Sequence, residues 1–197
     1  MSTLDIMLDL ETLGKSNSPV LVQLAAVSFR AEDGAVLDSF NRKISPQSCS
    51  RVGLSCRGED DKGTTLDWWL TQDPAVFNKI VLEAFSKGED VVLVLQDFSR
   101  WLLEQKKKHN ATSIKVYGKG PAADCVWLRS AYDAAKLEAP WKYWDDACVR
   151  TYLDIGYRVF GIKAKDIPFE GNKHDAIDDC KYQIKCVSLV FNKIKNK

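Results

Sequence analysis

The sequence has few of the residues that build thiolate or histidine metal centres. Its six cysteines include no Cys-x-x-Cys pair, and only two histidines are present, so a structural zinc site is poorly supported. No stretch approaches about 18 uncharged apolar residues, and the first residues lack the basic and apolar regions of a signal peptide. We therefore expect a cytoplasmic protein with reduced cysteines and no membrane partner.

The sequence also lacks an excess of either charge, with 28 Lys and Arg residues against 27 Asp and Glu residues. The formal net charge is +1, which argues against a protein that coats duplex DNA through charge alone but permits one that holds a chain end. The composition is 45% hydrophobic and 28% charged, which is typical of a globular chain with a proper core. No internal repeat or low-complexity segment is present, and we expect one domain over residues 1–197.

An apolar run from Ile6 to Thr12 is broken by two carboxylates, Asp9 and Glu11, with one residue between them. In a β-strand alternate side chains share a face, so these two point the same way, about 6–7 Å apart along the strand. The opposite face carries four aliphatic residues: Leu4, Ile6, Leu8 and Leu10. Paired carboxylates can bind Mg²⁺ or Mn²⁺. An isolated Asp-x-Glu is more often a strand end that reaches solvent, so a metal site requires partners elsewhere.

The next segments predict a meander. Val20 to Phe29 is nearly continuously apolar, as in a strand covered on both faces, and a turn over residues 31–34 leads to an antiparallel strand from Val36 to Ile44. We interpret Ser45 to Gly63 as a long loop that could border a site. A short helix follows over residues 65–70, in which one of Trp68 and Trp69 belongs to the core and the other can stack on a nucleobase.

Helical patterns cover residues 74–85 and 91–109, and the β-branched stretch from Ser113 to Tyr117 predicts a fourth strand. The turn at residues 118–121 ends it, and a helix from Ala122 to Ala135 carries Asp124 in its first turn. This arrangement places a carboxylate at the carboxyl edge of the sheet, where α/β folds usually have their sites. Alternatively, Asp124 only compensates the helix dipole.

The last third of the sequence predicts an edge strand, a helix, a loop and a final amphipathic helix. We expect the edge strand at residues 141–144, then a helix capped by Asp145 or Asp146 that runs to about Gly156, and a loop over residues 157–173. The final helix spans residues 175 to about 194, because apolar residues recur there at intervals of three and four.

Three aspartates lie at the start of that final helix. With about 100° per residue, Asp179 lies roughly 110° from the centre of the apolar face, whereas Asp175 and Asp178 lie roughly 150° away. Asp179 is therefore expected to border the core and face the sheet, and the other two to face water. His174 precedes them after a long loop and is a candidate general base.

Taken in order, these motifs resemble those of a known enzyme group. Leu8-Asp9-Leu10-Glu11-Thr12, then Tyr117-Gly118-Lys119-Gly120 with Asp124, then His174-Asp175-Ala176-Ile177-Asp178-Asp179 are similar to the three motifs of DEDDh 3′–5′ exonucleases. This is the DnaQ-like and ribonuclease T-like group, and the small phage-type members look most similar. The resemblance spans about residues 5–183. It implies a ribonuclease H-like α/β fold: a mixed five-stranded sheet, an antiparallel meander followed by parallel strands, flanked by helices.

The resemblance also implies a mechanism. Four carboxylates would hold two divalent cations, Mg²⁺ or Mn²⁺, and His174 would deprotonate the attacking water. The backbone at Thr12 and Leu13, with Trp69, would bind the terminal nucleotide. The carboxylates in question are Asp9, Glu11, Asp124 and Asp179. We expect single-stranded DNA as substrate, degraded from its 3′ end to nucleoside 5′-monophosphates.

Two alternatives remain open at this point. An RNA-trimming exoribonuclease would share the same site, since only the 2′-hydroxyl separates the substrates. A catalytically silent ribonuclease H-like module that binds nucleic acid would usually lack one of the five residues. Whether the chain forms a homo-oligomer is not determined by the sequence.

Overall fold

A computed structural model of the protein describes residues 2–56, 64–120 and 122–196. Its centre is a five-stranded sheet with strand order β3-β2-β1-β4-β5. The strands are β1 (Thr3–Thr12), β2 (Leu21–Phe29), β3 (Val36–Lys43), β4 (Ser113–Gly118) and β5 (Asp146–Cys148). The first three pair antiparallel, while β1 with β4 and β4 with β5 pair parallel. The predicted mixed sheet is thus confirmed, and β1 lies at its middle.

Helices flank both faces of the sheet. The helices are α1 (Pro46–Arg51), α2 (Thr65–Leu70), α3 (Pro74–Phe77), α4 (Glu83–Lys87), α5 (Val91–Lys108), α6 (Asp124–Ala134), α7 (Val149–Phe160) and α8 (Ala176–Lys195). A π-helical turn over Asn78–Leu82 joins α3 to α4, and 3₁₀ turns cover Tyr143–Asp145 and Ala164–Asp166. Among the described residues, no helix has the length and apolar character that crossing a bilayer requires.

The alternation along β1 divides the core into two layers. Its four alternate aliphatic residues pack with α5 and α6 on one face of the sheet, while Met7 packs with α8 on the other. All nine residues of β2 are buried, as predicted for a strand covered on both faces. Because Asp9 and Glu11 share the face of Met7, their carboxylates are directed toward α8 rather than α5.

The predicted loop from Ser45 to Gly63 is wrong in its first part. A helix, α1, begins there because the Ser45 side chain accepts the Ser48 N–H and Pro46 occupies the first helical position. With six residues, α1 is too short to produce a helical period in the sequence. The rest of that prediction falls largely on residues 57–63, which lie outside the described residues.

The edge strand predicted at residues 141–144 is also wrong, because the chain forms a 3₁₀ turn there and β5 follows it. The buried indole of Trp141 donates to Asp146 Oδ1 at 2.9 Å, and Arg129 donates to the same atom at 2.6 Å. Asp146 therefore holds β5 to α6 instead of capping a helix, and α7 starts at Val149. Helix α7 continues beyond the predicted end at Gly156 and ends at Phe160, followed by Gly161, whose φ is 69°.

Candidate active site

Asp9 and Glu11 lie at the carboxyl end of β1, on one face and partly buried. The side-chain amide of Gln183, on α8, donates to Asp9 Oδ1 at 2.6 Å. Burial and repulsion from Asp124 and Glu11 raise the pKa of Asp9 well above its ordinary value. Burial and repulsion from Asp179 and Asp124 raise the pKa of Glu11 in the same way. This strand end therefore carries more negative charge than the surrounding side chains compensate.

Asp124 joins this pair from the first turn of α6. Its Oδ1 accepts the N–H of Leu10 at 3.3 Å and its Oδ2 accepts the N–H of Lys119 at 2.8 Å. Burial raises the pKa of the carboxyl group, and these two N–H donors oppose that effect. A Cβ on Gly118 would lie 3.2 Å from the Asp124 Cβ, so glycine permits the close approach of α6 to β4. The role of Asp124 thus exceeds compensation of a helix dipole.

His174 and Asp179 complete the cluster from the start of α8. The Asp179 Oδ2 accepts the His174 N–H at 2.9 Å, and one ligand atom each from Glu11, His174 and Asp179 lie within 4.8 Å of one another. His174 has a φ of +65°, which is uncommon for a residue with a side chain and is often found at functional sites. Burial raises the pKa of Asp179.

The expectation that Asp175 faces water is wrong. Only 2% of this residue is exposed, and its carboxylate accepts from Gln23 Nε2 at 2.9 Å and pairs with Lys79 Nζ at 2.6 Å. Asp175 is the residue that caps α8 and has extended dihedral angles, so helical angles do not describe its direction. The same expectation for Asp178 is also wrong, because its side chain is only 17% exposed and accepts the Asn172 N–H at 3.0 Å. Asp179 does face the sheet, as predicted.

A cavity of about 410 Å³ opens over these carboxylates. Its walls include the aromatic residues Trp68, Trp69 and Trp127, the cations Lys15, Lys119 and Arg150, and the polar residues Thr12 and Thr65. The ring of Trp68 contacts His174 edge to face, with centroids 4.9 Å apart. The cavity therefore combines a carboxylate floor with aromatic and cationic walls.

Of the predicted nucleotide-binding residues, Thr12 and Trp69 line the cavity and Leu13 lies behind it. Trp69 is 1% exposed and donates its indole N–H to the Thr12 carbonyl at 2.9 Å, whereas Trp68 is 40% exposed. Leu13 is buried, and its backbone N–H donates to Val20 at 2.9 Å. Trp68 therefore offers the more accessible ring on which a nucleobase could stack.

Sequence reasoning missed two glutamines that hold the carboxylates in place. Gln183 follows Asp179 by four residues, so it lies on the same face of α8 and reaches Asp9. Gln23 lies opposite Glu11 in the pairing of β1 with β2 and donates to Asp175. The spacing of Gln183 is a signal that was present in the sequence, but the position of Gln23 depends on strand register.

The donor set suits hard divalent cations. Four carboxylates with raised pKa values converge on one cavity, and oxygen ligands are those that Mg²⁺ and Mn²⁺ prefer. A cation there would offset the repulsion between carboxylates that contributes to the raised pKa values of Asp9 and Glu11. The residues present therefore fit a divalent metal site, with the His174 ring at its edge.

Several solved structures share this fold. The nuclease domain of 3′hExo, a DEDDh family member bound to rAMP, matches with a TM-score of 0.62 and 10% identity, over 96% of this chain and 92% of that chain. A 3′-exonuclease that recognises the histone mRNA stem-loop matches at 0.63 and 12%, over 96% and 64%. Escherichia coli Exonuclease I with a 5cy-dT13 oligonucleotide matches at 0.59 and 14%, over 100% and 42%. No curated protein sequence matches the chain.

These likenesses, at 10–14% identity, show that the chain has the ribonuclease H-like fold of the DEDDh exonucleases. A family described as the 3′-5′ exoribonuclease Rv2179c-like domain matches residues 4–191, which is nearly the whole chain. The chain belongs to this Rv2179c-like family.

Proposed function

We propose that the protein is a metal-dependent exonuclease that removes nucleoside 5′-monophosphates one at a time from the 3′ end of single-stranded RNA. The observation that carries this proposal is the convergence of Asp9, Glu11, Asp124 and Asp179 with His174 on one cavity. The sequence alone favoured DNA, but the description of the family is exoribonuclease. RNA is therefore the first substrate to test.

In this proposal Asp9, Glu11, Asp124 and Asp179 would hold two divalent cations. Such a pair of ions, when bound, stabilises the charge on the attacking and leaving oxygens of a phosphodiester. His174 takes the proton from the attacking water, because its imidazole lies beside Glu11 and Asp179 and histidine is the side chain that most often acts as a general base. Trp68 packs against the imidazole of His174, and Asp179 accepts the backbone N–H of His174. Both contacts fix the position of this general base.

The cavity accommodates the terminal nucleotide. Its volume falls within the roughly 300–1,000 Å³ typical of small-ligand sites, and its aromatic wall offers a stacking surface. Thr12 at the end of β1 and Trp69 on α2 line the part of the cavity in which this nucleotide lies, and the buried Leu13 follows Thr12 in the chain. The size of the cavity supports the release of single nucleotides.

Single-stranded DNA is the second candidate substrate. Escherichia coli Exonuclease I, which shares the fold, was solved with a DNA oligonucleotide, and no residue of the cavity reads a 2′-hydroxyl unambiguously. The discriminating measurement is the ratio of kcat/KM for an RNA and a DNA strand of identical sequence.

The test uses RNA, single-stranded DNA and duplex DNA labelled at either end, with Mg²⁺ or Mn²⁺ present. We expect a ladder that shortens from the 3′ end of RNA, no products with EDTA, and no detectable activity for Asp9→Ala or Asp179→Ala. Undiminished digestion by either variant would contradict the metal assignment. Retained binding without cleavage by the wild-type protein would instead support the silent nucleic-acid-binding module.

The His174→Ala variant distinguishes between two roles of this histidine, general base and metal ligand. We expect this variant to lose about 10²–10⁴-fold in kcat, the range for general-base catalysis, while the Mn²⁺ affinity measured by calorimetry is retained. A collapse of Mn²⁺ affinity would show that the imidazole is a ligand, which the short distances to Glu11 and Asp179 also permit.

A further inference from the structure

Three cations line the cavity, Lys15, Lys119 and Arg150, and none of them forms a close ion pair among the described residues. Elsewhere on α7, Arg158 pairs with Asp154 at 2.9 Å. Arg150 and Lys119, which lie at the ends of neighbouring strands, are therefore available together to an anionic ligand.

Lys119 and Arg150 lie on the same side of the central strand β1. Lys119 follows β4 and Arg150 follows β5, so both lie on the side of β1 that faces the β5 edge. His174 lies on the other side, since its neighbour Asp175 is bound to Gln23 of β2, and the Trp68 ring contacts His174. Arg150 and Lys119 thus lie on the β5 side of the carboxylate floor, and Trp68 with His174 lies on the β2 side. Trp127 of α6 and Lys15 after β1 also line the cavity.

Helix stability does not explain the place of Arg150. This residue lies in the first turn of α7, where a cation opposes the helix dipole instead of complementing it. Its guanidinium carbon would lie 3.9 Å from a Cβ on Gly120, so the guanidinium packs over the turn that carries Lys119. The turn and α7 together present both cations at the rim of the cavity.

We propose that Arg150 and Lys119 bind the phosphodiester immediately upstream of the scissile one, so that the strand enters over the β5 side of the site. The terminal nucleoside then lies on the side of Trp68. An arginine can engage two phosphate oxygens at once, and lysine adds a point charge. This inference rests on the proposed exonuclease function and assigns the direction in which the strand lies.

Substrate length gives a sharp test. The dinucleotide ApA contains only the scissile phosphodiester, whereas ApApA also contains the upstream one. For Arg150→Gln and Lys119→Gln we expect the ratio of kcat/KM on ApApA to kcat/KM on ApA to fall about 10- to 100-fold, chiefly through the KM for ApApA. Arg158→Gln, on the same helix but away from the cavity, is the matched control and should leave both values unchanged.

Salt dependence adds an independent measurement. Loss of one phosphate contact should reduce the slope of log kcat/KM against log salt concentration by about 0.7 for a single strand. Equal losses on ApA and ApApA would place the cations at the scissile phosphate and overturn the proposal, and so would no loss on either. If wild-type protein cleaves neither substrate, the proposed function itself has failed. Thermal melting of each variant confirms that it is folded.

Discussion

Asp175 illustrates how one residue can have a different role from the one its neighbours in the sequence suggest. It stands between the candidate base and the first turn of α8, and it is buried with two partners from separate elements. Burial alone would raise its pKa, but the hydrogen bonds from Lys79 and Gln23 lower the pKa below the usual value of an aspartate. The carboxylate therefore anchors the start of α8 and the backbone of His174 beside it.

Replacing Asp175 with alanine should lower the free energy of unfolding by about 2–3 kcal/mol, because Gln23 and Lys79 would lose a buried partner. Urea denaturation at pH 7 measures this change. The lowered pKa in the folded state means that the contribution is present above the pKa of an unfolded aspartate, about 4, and disappears as the pH falls through the folded value. The difference between the two proteins should therefore narrow at acidic pH.

Asp154→Ala provides the matched control. Asp154 forms an exposed pair with Arg158, and such pairs contribute little, so we expect a change within about 0.5 kcal/mol. A loss for Asp175→Ala no larger than for this control would show that the buried carboxylate does not anchor α8.

For single residues, the sequence predicted best those site residues whose spacing falls within one helix. The interval from His174 to Asp179 spans the beginning of a helix, and the angle argument placed Asp179 correctly because that residue is within α8. Asp175 lies before the helix, so the same argument failed. The contact between Gln23 and Asp175 joins residues 152 positions apart, and no local pattern encodes it.

At the scale of secondary-structure elements, the packing of α7 against α8 depends on Gly156. A Cβ at this position would lie 2.6 Å from Val190 Cγ2, closer than nonbonded carbon atoms can approach. Glycine is unfavourable within a helix by itself, which explains why the sequence predicted an end there. The close contact compensates for that cost, and it fixes where the first turn of α7 holds Arg150 relative to α8.

For Gly156→Ala we expect a loss of about 1–2 kcal/mol in the free energy of unfolding, because overpacking outweighs the gain in helix propensity. In a Val190→Ala background the same change should be neutral or stabilising, since the clashing methyl group is absent. A double-mutant cycle by chemical denaturation measures the coupling. Equal effects in both backgrounds would mean that α7 does not pack as closely as described.

The predictability of the elements follows from their length. The long strands, α5 and α8 each have a clear pattern of apolar residues in the sequence, and these elements were predicted correctly. The three-residue β5 is too short for any period, and the aromatic residues just before it have high strand propensity, which moved the prediction upstream. Its pairing is set by the side chain of Asp146, whose partners come from α6 and from Trp141.

For the molecule as a whole, a divalent cation should act as a stabilising ligand. Binding to the folded state alone adds RT ln(1 + [L]/Kd), or about 2.7 kcal/mol at a hundredfold excess over Kd. We expect Mn²⁺ or Mg²⁺ to raise the Tm of the wild-type protein relative to EDTA. The Asp9→Ala variant should show little or no increase, and Arg158→Gln should respond like the wild type. A wild-type Tm that is insensitive to millimolar Mn²⁺ would contradict a preformed site.

The central strand β1 lies near one end of the chain, and the helix that delivers His174, Asp179 and Gln183 to it lies near the other. The remaining carboxylate, Asp124, comes from between them. The four carboxylates therefore come together only after β1, α6 and α8 have packed against one another. In the proposed enzyme, activity is thus a late product of folding, because it requires α8 to close onto the sheet.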